Sequence, residues 1–376
     1  MIRPRIALEN VANYKPGKPI EEVKRELGLK TVYKLASNEN PFAPLYLKKA
    51  ILKELADINR YPEGTCFALR QELAKKHKID PDCLVFGNGS DELITLAVRA
   101  YVEPGDEVVL AYPTFLIYEI QSRLSEAVIK KVPLKDRHYD LEAMAAQITS
   151  RTRIVFIANP DNPTGTYLNH KQIEDFLAKA PTDVLVFLDE AYFDFAPKDF
   201  PRSKELLSRY KNIVITRTFS KAYALAGVRL GYALTTKEIA ASLNKAREPF
   251  NINRFAQVAA LAALKNKVFL KKVIRHTTLE KKLLYAGLKK LRIKFTPSAT
   301  NFILVDFGGP AKGVCDYLLG QGVVVREMSG WGFPDYFRVT VGLHKENEKF
   351  LKCVKQYIVG AGLACLPVRQ VPARKE

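Results

Sequence analysis

The sequence predicts an α/β fold: a large domain with a mostly parallel seven-stranded sheet flanked by helices, and a smaller α+β domain. Two observations point to it. Short apolar runs recur between residues 83 and 234 with helical patterns between several of them, the alternation that builds parallel sheets. After Pro249 the pattern changes to long helical runs followed by strand-like runs.

Taken in order, the strand-like runs are Cys83–Gly87, Glu107–Ala111, Ala127–Val132, Arg153–Ala158, Val184–Asp189, Asn212–Thr216 and Leu230–Leu234. Val184-Leu-Val-Phe-Leu188 is apolar throughout, as a strand covered on both faces must be. Asp91–Tyr101 and His170–Ala180 carry helical spacing between strands. Beyond Pro249, Ala256–Lys265 and Val268–Leu291 read as helices, then Thr300–Phe307, Gly322–Arg326 and Phe337–Val341 as strands. No internal repeat or low-complexity stretch interrupts them.

Composition narrows the function classes. The 376 residues suffice for two domains and a large core. Hydrophobic residues make up 47% and charged residues 26%, ordinary values for a soluble globular protein. The five cysteines are scattered with no C-x-x-C pair, which argues against a metal cluster or disulfide framework and for a reducing, cytoplasmic setting. Met1-Ile-Arg-Pro-Arg-Ile6 lacks the apolar core of a signal peptide, and no run approaches membrane-spanning length. The net charge of +19 could attract nucleic acid or anionic lipid. Its lysines, however, are spread over pairs such as Lys48-Lys49 and Lys281-Lys282 on amphipathic patterns, and no nucleic-acid-binding motif is present. The expectation is a Lys-rich solvated surface, with electrostatic attraction of anionic substrates such as phosphate esters and 2-oxoglutarate as a minor alternative reading, and with neither nucleic acid nor membrane as partner.

The chemistry concentrates in three segments. In Arg217-Thr-Phe-Ser-Lys-Ala-Tyr-Ala-Leu-Ala-Gly-Val-Arg229, Lys221 follows an apolar strand and stands among small and hydroxylated residues. A nucleophilic lysine needs a carbonyl, and pyridoxal phosphate is the biological carbonyl most often held this way. Thr218, Ser220 and Arg229 could supply hydroxyls and a cation to its phosphate. Asn159-Pro-Asp-Asn-Pro-Thr-Gly165 is a tight turn at a strand end, with the Asn162 amide available to the cofactor's phenolic oxygen. Asp189, at the end of a buried strand, sits where α/β proteins keep ligands. It would keep the pyridine nitrogen protonated; otherwise it is a helix N-cap.

With these three segments, Lys34-Leu-Ala-Ser-Asn-Glu-Asn-Pro41, Arg60-Tyr-Pro-Glu-Gly64, Gly87-Asn-Gly-Ser-Asp-Glu92, Ala111-Tyr-Pro-Thr-Phe115 and Arg338-Val-Thr340 complete an ordered set. The chain resembles the fold-type I pyridoxal-phosphate aminotransferases, and among them the histidinol-phosphate aminotransferases, from about Tyr14 to about Phe350. The resemblance implies a Schiff-base lysine at Lys221 and cofactor-phosphate residues at Gly89, Ser90 and Asp91. The turn Gly87–Asp91 also reads as a helix-capping turn, with Ser90 or Asp91 as N-cap. The resemblance further implies that Tyr112 stacks on the cofactor ring, that Tyr192 joins Asn162 at the phenolic oxygen, and that Tyr61 reaches the cofactor of a neighbouring subunit. A homodimer with shared active sites follows from the last point. Arg338 takes a substrate carboxylate, Arg326 the phosphate of histidinol phosphate, Tyr14 covers the site, and Asn38 and Asn40 order the N-terminal segment.

The implied domains are an N-terminal segment 1–34 packing with the small domain, a large domain 35–248, a small domain 249–360 and a tail 361–376. The implied reaction is ping-pong amino transfer from L-histidinol phosphate to 2-oxoglutarate. An aromatic amino acid aminotransferase, for which Trp331 and Phe333 are suitable, and a decarboxylase of a phosphorylated amino acid share the scaffold. A non-catalytic sensor domain joined to a DNA-binding module is a further alternative. Asp161 and Ala224 depart from the pattern, which has Asn and commonly Gly there.

Overall fold

The computed structural model describes residues 2–11 and 17–360. They group into two compact units, one of residues 2–11 and 42–274, the other of residues 17–41 and 275–360.

The larger unit is built on a seven-stranded sheet. Across it run Leu84–Gly87, Gly231–Leu234, Ile213–Thr218, Leu185–Asp189, Thr152–Ala158, Glu107–Tyr112 and Val128–Pro133. The five strands from Ile213–Thr218 to Val128–Pro133 pair in parallel; Gly231–Leu234 runs antiparallel to both of its neighbours. Val186, Phe187, Leu188, Val214 and Ile215 are almost completely buried, because helices cover both faces of a parallel sheet. Those helices start where the chain supplies a cap. Asn169 accepts from the Gln172 N–H while the Gln172 side chain accepts from the Asn169 N–H, so a reciprocal capping box opens His170–Lys179.

This topology brings distant residues to one edge. Parallel strands share their carboxyl ends, so Tyr112, Ala158, Asp189 and Thr218 lie along one side of the sheet. In register, Ala158 pairs with Asp189 and Asp189 with Thr216. The antiparallel strand turns its first residue to that edge, where Gly231 is opposite both Thr218 and Gly87. Strand order also reverses here, since Glu107–Tyr112 has Val128–Pro133 on one side and Thr152–Ala158 on the other. Such a crevice is where open α/β sheets bind ligands.

The smaller unit holds a four-stranded antiparallel sheet in the order Arg326–Glu327, Tyr336–Thr340, Phe302–Asp306, Lys294–Phe295. A parallel pair, Tyr33–Lys34 with Val323–Val324, joins its N-terminal segment. Ile303, Val305, Phe337, Val339, Phe350 and Val354 form its core. Among the described residues no helix is long and apolar enough to cross a membrane.

Candidate active site

Asp189 ends its strand with 5% exposure. Its Oδ2 accepts a hydrogen bond from the Tyr118 hydroxyl at 2.8 Å and its Oδ1 accepts from the Ala191 N–H at 3.1 Å. Burial raises its carboxyl to about 6, against the opposing pull of these donors. Lys221 lies just beyond the neighbouring strand, with Nζ 5.7 Å from the centroid of the buried Tyr192 ring. The turn carrying Asn162 is braced by Asp161. Asp161 Oδ2 accepts from the Thr164 N–H and hydroxyl at 3.1 and 2.7 Å, and its Oδ1 accepts from Thr114 and Tyr139 at 3.1 and 3.2 Å. The carboxylate at this departure from the family pattern therefore ties the Asn162 turn to the loop after Tyr112.

The phosphate-type cradle is made of backbone. Gly89, at φ 83°, is the N-cap of the helix Ser90–Tyr101 and supplies no side-chain acceptor. The expected Ser90 or Asp91 cap is thus corrected: both residues lie within the first turn, because only glycine readily takes this φ. A cap without a side chain leaves the first-turn N–H groups to an anion. Arg229 Nη2 donates to Asp91 Oδ2 at 3.3 Å and Nη1 to Ser220 Oγ at 3.4 Å. Thr218 Oγ1 accepts from the Ser220 N–H at 3.1 Å. Asp91, Ser220, Thr218 and Arg229 are therefore one connected group.

Two glycines keep that group open. A Cβ at Gly89 would collide with the Arg229 guanidinium, and one at Gly231 would lie 2.7 Å from Ser90 N and 2.8 Å from Gly89 C. The second clash is with backbone, which cannot swing aside. Gly231→Ala is expected to displace the helix N-terminus and weaken anion binding there about tenfold, roughly one lost charge-assisted hydrogen bond; titration with pyridoxal phosphate measures it. Ala224 sits at φ 60°, a conformation that strains any side chain with a Cβ. Ala224→Gly should leave stability unchanged or raise it by up to ~1 kcal/mol, read by denaturant unfolding.

Side-chain alternation puts Glu190 and Arg217 on the other face from Asp189 and Thr218. Arg217 Nε and Nη2 donate to Glu190 Oε2 at 2.9 and 2.7 Å, Nη2 also reaches Ser203 Oγ at 2.6 Å, and the guanidinium lies 3.4 Å from the Phe193 ring centroid. Both charges are buried and paired, as buried charges must be. This pair locks together the two strands that carry Asp189 and Lys221.

Tyr112 is 39% exposed, with Lys131 Nζ 4.5 Å from its ring centroid. Tyr61 is 79% exposed and stacks on Phe250 at 4.8 Å.

In the smaller unit, Asn38 is buried at φ 54°. Its N–H donates to Thr340 Oγ1 at 2.9 Å and its C=O accepts from Asn301 Nδ2 at 3.0 Å. Arg338 is buried, donates to the Ala36 carbonyl at 3.0 Å and lies over the Phe302 ring at 5.1 Å. Arg326 lies over the Trp331 ring at 4.7 Å. Arg326 and Arg338 are direct partners across the antiparallel ladder. Directly opposed residues share a face, and like charges there repel unless an anion lies between them. Tyr14 and the tail 361–376 lie outside the described residues.

The model for aminotransferase class I and II matches residues 30–354. The chain belongs to the class I and II aminotransferases. Histidinol-phosphate aminotransferase of Moorella thermoacetica is 43% identical over 94% of this chain and 92% of its own length. Histidinol-phosphate aminotransferase 2 of Carboxydothermus hydrogenoformans is 41% identical over 94% and 99%. The solved histidinol-phosphate aminotransferase of Sinorhizobium meliloti, in complex with pyridoxal 5'-phosphate, is similar with a TM-score of 0.88 and 28% identity, covering 96% of this chain and 99% of that one.

In this aminotransferase the edge of the large sheet gathers Gly89, Ser90, Asp91, Asp189, Tyr192, Thr218, Ser220, Lys221 and Arg229 in the larger unit, while Asn38, Arg326 and Arg338 belong to the smaller one. Gly231, Tyr118 and the Glu190–Arg217 pair escape a sequence reading. A glycine opening a strand or a tyrosine inside an amphipathic helix carries no local signal of a distant neighbour. The one readable hint is a pair of opposite charges, Glu190 and Arg217, each beside an apolar strand.

Proposed function

We propose that the chain is a pyridoxal-phosphate-dependent aminotransferase of histidine biosynthesis, acting on L-histidinol phosphate and 2-oxoglutarate to give imidazole-acetol phosphate and L-glutamate in the cytoplasm. The observation that carries the reading is the joint presence, on one sheet edge, of a buried carboxylate, a lysine and a glycine-capped cradle bearing an arginine. These fit the cofactor: the cradle suits its phosphate, the carboxylate its ring nitrogen, and the lysine its carbonyl carbon. When bound, pyridoxal phosphate supplies a conjugated ring that takes up the electron pair left on the substrate carbon.

The chain's residues do the rest. The first-turn amides at Gly89, Ser90 and Asp91 hold the phosphate with Thr218, Ser220 and Arg229. Asp189 keeps the ring nitrogen protonated, Tyr112 covers one ring face, and Asn162 and Tyr192 donate to the phenolic oxygen. Lys221 Nζ is the general base that takes the proton from the substrate carbon and delivers it to the cofactor's carbonyl-derived carbon. Arg338 holds the α-carboxylate of glutamate and 2-oxoglutarate, and Arg326 the phosphate of histidinol phosphate. The direct pairing of these two arginines across the antiparallel ladder, which sets both on one face of it, supports that choice. Asn38 braces Thr340, two residues from Arg338, through backbone and side-chain bonds.

The enzyme is a homodimer in which Tyr61 reaches the phosphate bound by the other copy. Tyr61 stands in one stretch of sequence with the exposed Leu45, Leu52, Leu55, Ile58 and Phe67, apolar side chains that a second copy would cover.

Asp189 must be ionised to hold a cationic ring. Its carboxyl is protonated below about 6, so cofactor affinity is present above that pH. It should fall by up to about tenfold per pH unit below it. Equilibrium titration between pH 5 and 8 reads this, and Asp189→Asn should flatten the profile.

The function is tested by half-reaction. Without any keto acid, L-histidinol phosphate should rapidly change the absorbance of the bound cofactor, and L-phenylalanine and L-tyrosine should act far more slowly. Comparable rates for the aromatic amino acids would make this an aromatic aminotransferase.

A further inference from the structure

Tyr118 belongs to none of the motifs. It lies on the helix Leu116–Leu124, is fully buried, and points its hydroxyl at Asp189 from 71 positions away in the chain. Its ring is held on two sides, stacked on Phe156 at 4.7 Å with an 8° interplanar angle and edge-on to Phe115 at 5.6 Å. Its carbonyl accepts from Ser122 Oγ at 2.8 Å. The hydroxyl thus has one orientation open to it.

We propose that Tyr118 is a positioning residue for the cofactor's ring-nitrogen partner: its hydroxyl donates to Asp189 Oδ2, fixing the carboxylate's rotation and keeping it ionised. This rests on the reading that Asp189 holds the ring nitrogen. The Ala191 N–H donates to Oδ1 and Tyr118 to Oδ2, and the Thr216 hydroxyl also favours the ionised form. Two nearby carboxylates work against ionisation. Asp91, on the helix Ser90–Tyr101, pushes the Asp189 carboxyl up, and Glu190 is a neighbouring carboxylate already committed to Arg217. Burial first, then the charge of Asp189, with Tyr139 and Asp161 adding to it, hold the Tyr118 phenol far above the ordinary range. The phenol therefore stays protonated and can only donate. With Phe at 118, Oδ2 would be buried without that donor, and the neutral carboxyl would gain ground.

The test is a double-mutant cycle on cofactor affinity, with the full-length protein and pyridoxal phosphate as probe. Tyr118→Phe should raise the dissociation constant at pH 7 about tenfold and move the midpoint of its pH dependence up by about one unit. In an Asp189→Asn background the same replacement should change affinity by less than about twofold, because it acts only through the carboxylate. Equal losses in both backgrounds, or no shift of the midpoint, would overturn the inference and leave the cofactor reading intact. Failure of the wild-type chain to bind pyridoxal phosphate would overturn both. Should Tyr118→Phe fold poorly, 3-fluorotyrosine at 118 keeps the ring and makes a stronger donor. It should lower the midpoint, and an unchanged midpoint would again overturn the inference.

Discussion

Lys221→Ala should abolish amino transfer, by at least about 10⁴-fold in kcat, while the protein remains folded. The magnitude is that of losing a positioned general base, with loss of the covalent hold on the cofactor adding to it. The fold should survive because Lys221 follows the strand Ile213–Thr218 and is not part of the core around Phe219 and Ala222, both fully buried. The cradle at Gly89 and Arg229 and the Asp189 carboxylate are untouched, so the variant should still bind pyridoxal phosphate, now without the absorbance band of the covalently held form. Stopped-flow absorbance and a thermal melt check both halves. Turnover within about tenfold of wild type would remove Lys221 from the mechanism.

The second large effect separates the two arginines of the smaller unit. Arg326→Ala should weaken L-histidinol phosphate by about 10- to 100-fold in kcat/KM and change glutamate by less than about threefold. The estimate corresponds to losing one charge-assisted contact of about 1.5–3 kcal/mol. Arg338→Ala should weaken glutamate and 2-oxoglutarate. The asymmetry is legible in the surroundings: Arg338 is buried and donates to the Ala36 carbonyl, whereas Arg326 is partly exposed and rests on the Trp331 face. Steady-state kinetics with each substrate as the varied component measures this. Equal losses for both would show that Arg326 does not read the phosphate.

Much of the larger unit was readable because its strands are buried on both faces and their apolar runs are continuous. Val184–Asp189 was expected as a strand and Leu185–Asp189 is one; Leu230–Leu234 was expected and Gly231–Leu234 is one. What the runs could not reveal is direction and neighbour. That Gly231 presses against the backbone at Ser90 depends on a pairing with Leu84–Gly87, residues more than a hundred positions away. The segments brought to the sheet edge were legible where chemical groups are concentrated in short runs, as at Phe219-Ser-Lys221 and Asp189-Glu-Ala-Tyr192. The sequence carried no signal where a side chain acts at a distance. Tyr118 looks like any aromatic of an amphipathic helix until the sheet brings Asp189 to it. The cap at the phosphate-type turn was misread for a related reason: Ser and Asp are good caps by type, but the turn needs a positive φ that only Gly89 meets at low cost.

The most direct test of the account is isotopic. L-Histidinol phosphate labelled with ¹⁵N at its amino group, incubated with 2-oxoglutarate, pyridoxal phosphate and the purified protein, should deliver the label to L-glutamate, read by NMR. One glutamate should form for each donor consumed. Unconsumed donor, or label released as ammonia with no labelled glutamate, would contradict amino transfer from this substrate.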